Sequence, residues 1–94
     1  MKSRPYYTVD GSEYWKTKDG HFHREDGPAV TYSDGAQYYF VNNKLHRLDG
    51  PAIIKSNNTE QYFIDNKEYE KREYYKVLVK KGLMTFQEAL PDLI

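Results

Sequence analysis

Three imidazoles, two of them inside a repeated heptad, are the groups best suited to chemistry at neutral pH. His23 opens HREDGPA at residues 23–29 and His46 opens HRLDGPA at residues 46–52, with Glu25 and Leu48 the one differing pair. His21 and His23 stand two apart, so on a strand both project from one side, and with His46 and Asp26 they would make a nitrogen and oxygen donor set for a metal. No cysteine and no pattern of outer hydrogen-bonding partners supports that set, and no metal is expected. A His–Asp pair also serves as base and orienter for a hydroxyl nucleophile. Here no serine stands at a nucleophile elbow, and the repeat would supply two equal copies of a site where one suffices. Neither a Gly-rich phosphate loop ahead of a helix nor HExxH occurs. The chain is therefore expected to be noncatalytic and to carry no cofactor.

The other heptad letters have structural work to do. Gly27 and Gly50 supply backbone conformations closed to other residues, and Pro28 and Pro51 fix φ and donate nothing to a ladder, which places them at strand starts or edges. Asp26 and Asp49 are expected to cap a tight turn by accepting backbone N–H bonds. Ala29 and Ala52 then open the next strand with a small side chain where units pack closely. Arg24 and Arg47 are expected to pair with a turn Asp of their own or the adjacent unit, and each His to pack beneath the Arg while donating a ring N–H to a carbonyl. Repeated Arg beside Tyr is also a means of stacking bases or clamping a phosphate. The balance of fourteen basic against fourteen acidic residues argues against nucleic acid, and no basic run marks an anionic membrane.

The heptads are joints in a longer pattern. Their offset is 23 residues, kept by the turn pairs Asp19-Gly20, Asn42-Asn43 and Asp65-Asn66, while Asp10-Gly11, Asp34-Gly35 and Asn57-Asn58 form a second family spaced 24 and 23 apart. All six pairs tolerate positive φ at both positions, as type I′ hairpin turns require. The expectation is an antiparallel meander with strands near residues 6–9, 13–17, 21–23, 29–33, 37–41, 44–46, 52–55 and 61–64, and a last piece at 67–69. Tyr14-Trp15, Tyr38-Tyr39 and Tyr62-Phe63 recur 24 apart. Counted from the following turn the alignment slips by one, which exchanges strand faces unless each unit holds a bulge.

With ten Tyr, four Phe and one Trp, the core is expected to be aromatic. After the third turn pair the heptad is lost. Residues 68–81 favour a helix with Tyr74, Val77, Leu78 and Lys81 on one face, Tyr75 and Val79 widening it and Gly82 ending it. Thr85 to Glu88 is a capping box for a second, shorter helix that Pro91 stops. These helices are expected to cap the array. Leu83, Met84, Phe86, Leu90, Leu93 and Ile94 exceed what one thin sheet needs and offer a homodimer interface or a contact with a partner's groove.

The run from Tyr14 to Gly35, YWKTKDGHFHREDGPAVTYSDG, resembles a divergent MORN repeat, and HRxDGPA resembles a repeat of small proteins from bacteriophages and large DNA viruses. The likeness covers about residues 10–66. It implies a rigid scaffold that binds protein partners, and by analogy a host-directed inhibitor. Arg24, Asp26 and Pro28 depart from the small Gly-rich segment of MORN units.

The reading is thus one α+β domain over residues 1–94, with a repeat region at 5–69 made of stacked hairpins of about 23 residues and a helical cap at 70–94. Trp15, Arg24, Tyr38, Tyr39, Arg47 and Tyr62 are the candidate binding residues. His23, Asp26, Gly27, Pro28, His46, Asp49, Gly50 and Pro51 are the repeat's structural set. The expected partner is a protein, with a nucleotide-like anion or self-assembly as alternatives. Lack of cysteine points to a reducing, cytoplasmic setting (a host's, if the chain is viral), and the absence of a leader or an apolar span to a soluble, complete chain.

Overall fold

The computed structural model describes residues 2–94. Strands β1 (Arg4–Tyr7), β2 (Glu13–Lys16), β3 (Val30–Thr31), β4 (Gln37–Tyr38), β5 (Phe40–Val41), β6 (Lys44–Leu45), β7 (Ile53–Ile54), β8 (Glu60–Ile64) and β9 (Lys67–Tyr69) precede helices α1 (Lys71–Lys80) and α2 (Phe86–Leu93). Seven strands form one antiparallel sheet in the order β1-β2-β3-β4-β7-β8-β9, and β5 and β6 form a separate hairpin. The fold is α+β, as expected. Its extents of 43 × 30 × 18 Å are those of a ribbon about one sheet and one layer of side chains thick.

The turns set this geometry. At Thr8, Thr17, Tyr32 and Lys55 the carbonyl accepts from the N–H three residues on, and the same residue's N–H donates to the carbonyl four residues on. Only the last loop residue has positive φ there: Gly11, Gly20, Gly35 and Asn58. These four are three-residue loops closed by a left-handed residue, which corrects the type I′ expectation for them. Asp10, Asp34 and Asn57 each accept the N–H two residues on, holding that geometry with a side chain. Type I′ turns with both φ positive occur at Asn42-Asn43 and Asp65-Asn66.

This difference explains the slip in spacing. The loop at 18–20 has one residue more than the turns at 42–43 and 65–66, so the offset from unit one to unit two is 24 before that loop and 23 after it. Trp15 therefore aligns with Tyr39, since their N–H groups donate to Ala29 and Ala52 respectively. Tyr39 aligns with Tyr62, because Ala29 and Ala52 donate to Tyr38 and Gln61 in turn. The extra residue lies in a turn and needs no bulge to account for it.

Two strands expected from the pattern are broken. Residues 21–23 make one bridge, Phe22 to Lys16, because His23 donates to Trp15 and Arg24 to Phe40 of the next unit. The strand at 37–41 divides at Tyr39, whose N–H turns to Ala52 while its carbonyl accepts from His46. Each unit thus changes partner in mid-strand, and the sheet is stitched unit to unit.

The core is thin and concentrated at the C-terminal end. Tyr62, Ile64, Tyr74 and Leu78 form its cluster, with Tyr69, Tyr75, Val77 and Met84 against it. Ala29 and Ala52 are wholly enclosed, as their size at the unit junctions demands. α1 ends at Gly82 (φ 75°), where Gly82 donates to Val79 and Leu83 to Leu78, the paired bonds of a glycine-terminated helix. Thr85 and Glu88 form the reciprocal cap of α2. α2 does not stop at Pro91 but runs through it to Leu93. One missing N–H removes one bond near the helix end, and burial of Leu93 holds the last turn in place. No helix among the described residues is long and apolar enough to cross a membrane.

Candidate functional site

Each heptad folds back over the aromatic residue of its own unit. The Arg24 guanidinium carbon lies 4.1 Å from the Trp15 ring centroid, and that of Arg47 lies 4.0 Å from the Tyr39 ring. Arg24 Nε donates to Asp26 (2.8 Å) and Nη1 to the Pro28 carbonyl (3.3 Å), while Arg47 repeats both bonds with Asp49 (2.8 Å) and Pro51 (3.0 Å). The Arg–Asp pairing is that expected within one unit. The Asp side chains are not backbone caps, however, because the guanidinium takes their oxygens. The hydrogen bond from Arg24 holds the Asp26 carboxyl below its ordinary range. Both carboxylates are exposed, so the stacking and the carbonyl bond matter more than the ion pair.

The glycine requirement has a different cause from the expected one. Gly27 has no left-handed φ, but a Cβ there would stand 3.0 Å from Arg24 Cζ and 3.1 Å from Nε. At Gly50 the same approach (3.0 Å to Arg47 Cζ) adds to a φ of 155°. The guanidinium is a layer between ring and backbone. Gly27→Ala is expected to cost about 1 kcal/mol in urea unfolding, because the guanidinium must give by a few tenths of an ångström toward a ring it already packs against. In an Arg24→Ala background the cost of Gly27→Ala should shrink to a few tenths of a kcal/mol, and full additivity of the two changes would refute the layer.

His23 Nδ1 accepts the Asn42 N–H (2.9 Å) and His46 Nδ1 accepts the Asp65 N–H (3.1 Å). The expectation that each ring donates to a carbonyl is thereby corrected: the neutral ring carries its proton on Nε2 and accepts at Nδ1. Reciprocally, Asn43 accepts from Phe22 N–H and Asn66 from Leu45 N–H. Each His thus fixes the type I′ turn of the following unit, which explains its place in the repeat. His21 is exposed and His23 buried. Among the described residues no three His, Asp or Glu side chains converge where they would hold a metal ion.

The candidate binding residues divide between the two faces. Trp15 with Arg24, Tyr39 with Arg47, and Tyr62 lie along one face. Tyr38 lies on the other, edge-on to Tyr32 (5.5 Å, 89°), in a chain of rings continued by Tyr14, Phe22 and Phe40. In the third unit Glu70 stands at the position equivalent to Arg47, and Tyr74 of α1 packs on the ring in place of the guanidinium. Its ring lies 4.8 Å from that of Tyr62, its hydroxyl donates to the Arg47 carbonyl (2.5 Å), and Gly50 N–H donates to its oxygen (3.3 Å). The cap imitates the repeat it replaces. Burial pushes the Tyr74 phenol up to about 12.

Between the two heptads lies a cleft of about 600 Å³ lined by Arg24, Asp26, Tyr39, Arg47, Leu48 and Leu83, among others. Leu48 and Leu83 are 38 % and 52 % exposed, and on α2 Phe86 and Leu90 are 60 % and 39 % exposed. Leu48 was not among the candidate residues of the sequence, although it stands at the one position where the heptads differ. Identical letters hold the joint, and the free letter faces the cleft. Comparison of the chain with family models, with curated proteins and with solved structures finds no match.

Proposed function

We propose that the chain is a noncatalytic repeat scaffold that binds a protein partner through the cleft between its two heptads and the adjoining surface of α2. The observation that carries this reading is the division of labour within the heptad. Arg, Asp, Gly and Pro are taken up in the layer over the unit's own ring and His in the turn of the next unit, while Leu48 is left at the cleft with Leu83. A mixed cleft with an apolar rim is suited to an aromatic or aliphatic anchor from a partner. The resemblance of HRxDGPA to viral repeats makes a host-directed inhibitor the form of binding we favour. A nucleotide-like anion is less well served, since Nε and Nη1 of both Arg residues are already bonded within the fold.

The double variant Leu48→Asp with Leu83→Asp is expected to lose its partner, with binding of the purified complex weakened about a hundredfold and the melting temperature little changed. Equal binding by both forms overturns the reading. So does a thermal shift with nucleotides that Arg24→Ala with Arg47→Ala abolishes, which would establish the anion site instead.

A further inference from the structure

The ribbon is covered at one end and open at the other. α1 closes the array over β8 and β9, whereas nothing among the described residues pairs the outer edge of β1. Tyr6 and Tyr7 there are 40 % and 71 % exposed.

The repeat specifies what this edge accepts. β1, β3 and β7 hold one position in successive units, with Tyr6 opposite Tyr14, Val30 opposite Tyr38 and Ile53 opposite Gln61. On their outer edges β3 and β7 receive the preceding unit's strand antiparallel. Tyr14 lies opposite Val30 and Tyr38 opposite Ile53, and Trp15 and Tyr39 donate to Ala29 and Ala52 at 2.7 Å each. Moved back one unit, an added strand would donate to the Pro5 carbonyl and pair with Tyr6 and Tyr7. The Tyr7 N–H is free for it, since Thr8 N–H bonds Ser12 and peptide directions alternate along a strand. Proline at an edge commonly blocks such addition. By the same alternation the Pro5 nitrogen faces the open edge and offers no donor, but the repeat's outer pairing asks for none there, since Ala29 and Ala52 at the equivalent position give their N–H groups to Tyr38 and Gln61.

Charge supplies a second, independent observation. Lys2, Arg4, Lys16 and Lys18 line a cleft of about 830 Å³ with Tyr6, and Asp19 is the one acid in its lining. None of the four cations belongs to an ion pair of the described residues. Lys16 Nζ sits 5.7 to 5.9 Å from the rings of Tyr6, Tyr14 and Phe22. In a chain of zero net charge this is a local excess beside the open edge. A second copy joined edge to edge would set two such clusters along one seam, where like charges repel.

We propose that β1 is a strand-addition site for an acidic, extended segment of a partner protein, main-chain bonds supplying the pairing and carboxylates lying against Arg4 and Lys2. This surface is separate from the cleft between the heptads and does not rest on it. The repeat's register puts residue 14 of an added copy of the 12–18 segment opposite Tyr6, and hence residues 16 and 18 opposite Arg4 and Lys2.

The probe is a blocked synthetic peptide of residues 12–18 carrying Lys16→Glu and Lys18→Glu, with the unaltered peptide as control. The acidic peptide is expected to slow exchange of the Tyr7 amide and to bind about tenfold more tightly than the control, an advantage that added salt erodes. Lys2→Glu with Arg4→Glu in the protein should reverse the preference without moving the melting temperature. Four results would each overturn the proposal: equal binding of the two peptides, binding that leaves the Tyr7 amide unprotected, a concentration-dependent dimer that the peptide dissolves, or tighter binding of a thymidine oligonucleotide than of the peptide.

Discussion

Tyr74→Ala is expected to leave the chain at the edge of unfolding at room temperature. The side chain is completely buried, packed at a tilt of 44° against Tyr62 and edge-on to Tyr75 at 5.0 Å. Removing a packed aromatic ring costs about 3–5 kcal/mol, and a small domain has roughly 5 kcal/mol to lose. The loss also cuts α1 from the second heptad, because the Tyr74 hydroxyl bridges the Arg47 carbonyl and the Gly50 N–H. Tyr74→Phe separates the two contributions. It keeps the ring and removes the bridge, and about 1–3 kcal/mol is expected for two backbone groups left with one partner fewer. Urea unfolding followed by circular dichroism reads both. A Tyr74→Ala variant within about 1 kcal/mol of the parent would mean that α1 is not what closes the array.

What the sequence made legible follows from which residues act through local backbone chemistry. Gly and Asn at 11, 20, 35, 42, 43, 58 and 66 mark turns because few other residues accept positive φ, and all seven are found there. Gly82 and the Thr85–Glu88 pair disclosed the helix ends for the same local reason. Interactions between units were harder to read. The preference of Asx-Gly pairs does not separate a two-residue turn from a three-residue loop, so the extra residue at 18–20 passed as a register slip. The direction of the His23 and His46 hydrogen bonds was hidden because an imidazole both donates and accepts, and its partner amide lies nineteen residues away in the next unit.

The candidate site was legible to the same degree. The Arg–Asp pairs lie two residues apart and were foreseen. The stacking of Arg24 on Trp15 and Arg47 on Tyr39 joins residues eight or nine apart in sequence through a hairpin, and it alone accounts for a glycine at 27. The unpaired cations at the β1 edge were masked by a net charge of zero, which averages a basic end against acid elsewhere. Composition reports a sum, whereas recognition depends on where the charges lie.

Stability should fall steeply above pH 10, and Tyr74 and Tyr62 should be the cause. Burial pushes both phenols up, Tyr74 to about 12. The folded chain therefore keeps protons that the unfolded chain releases near the ordinary tyrosine value of 10.0. Below that value both states are protonated and the contribution is whole. As pH rises toward 12 the unfolded state alone ionises, and stability drains at up to 1.36 kcal/mol per pH unit for each such group, or about 3 kcal/mol for Tyr74. The ionised form is disfavoured for two physical reasons: the ring is cut off from water, and a phenolate has no proton to give the Arg47 carbonyl. Urea unfolding at successive pH values, read beside the phenolate absorbance, gives the slope. Tyr74→Phe is less stable at pH 8 but should fall more slowly above pH 10, so that the two curves converge. Parallel curves would place the alkaline loss elsewhere, and a flat parent curve up to pH 12 would show that the buried phenols are free to ionise in the folded chain.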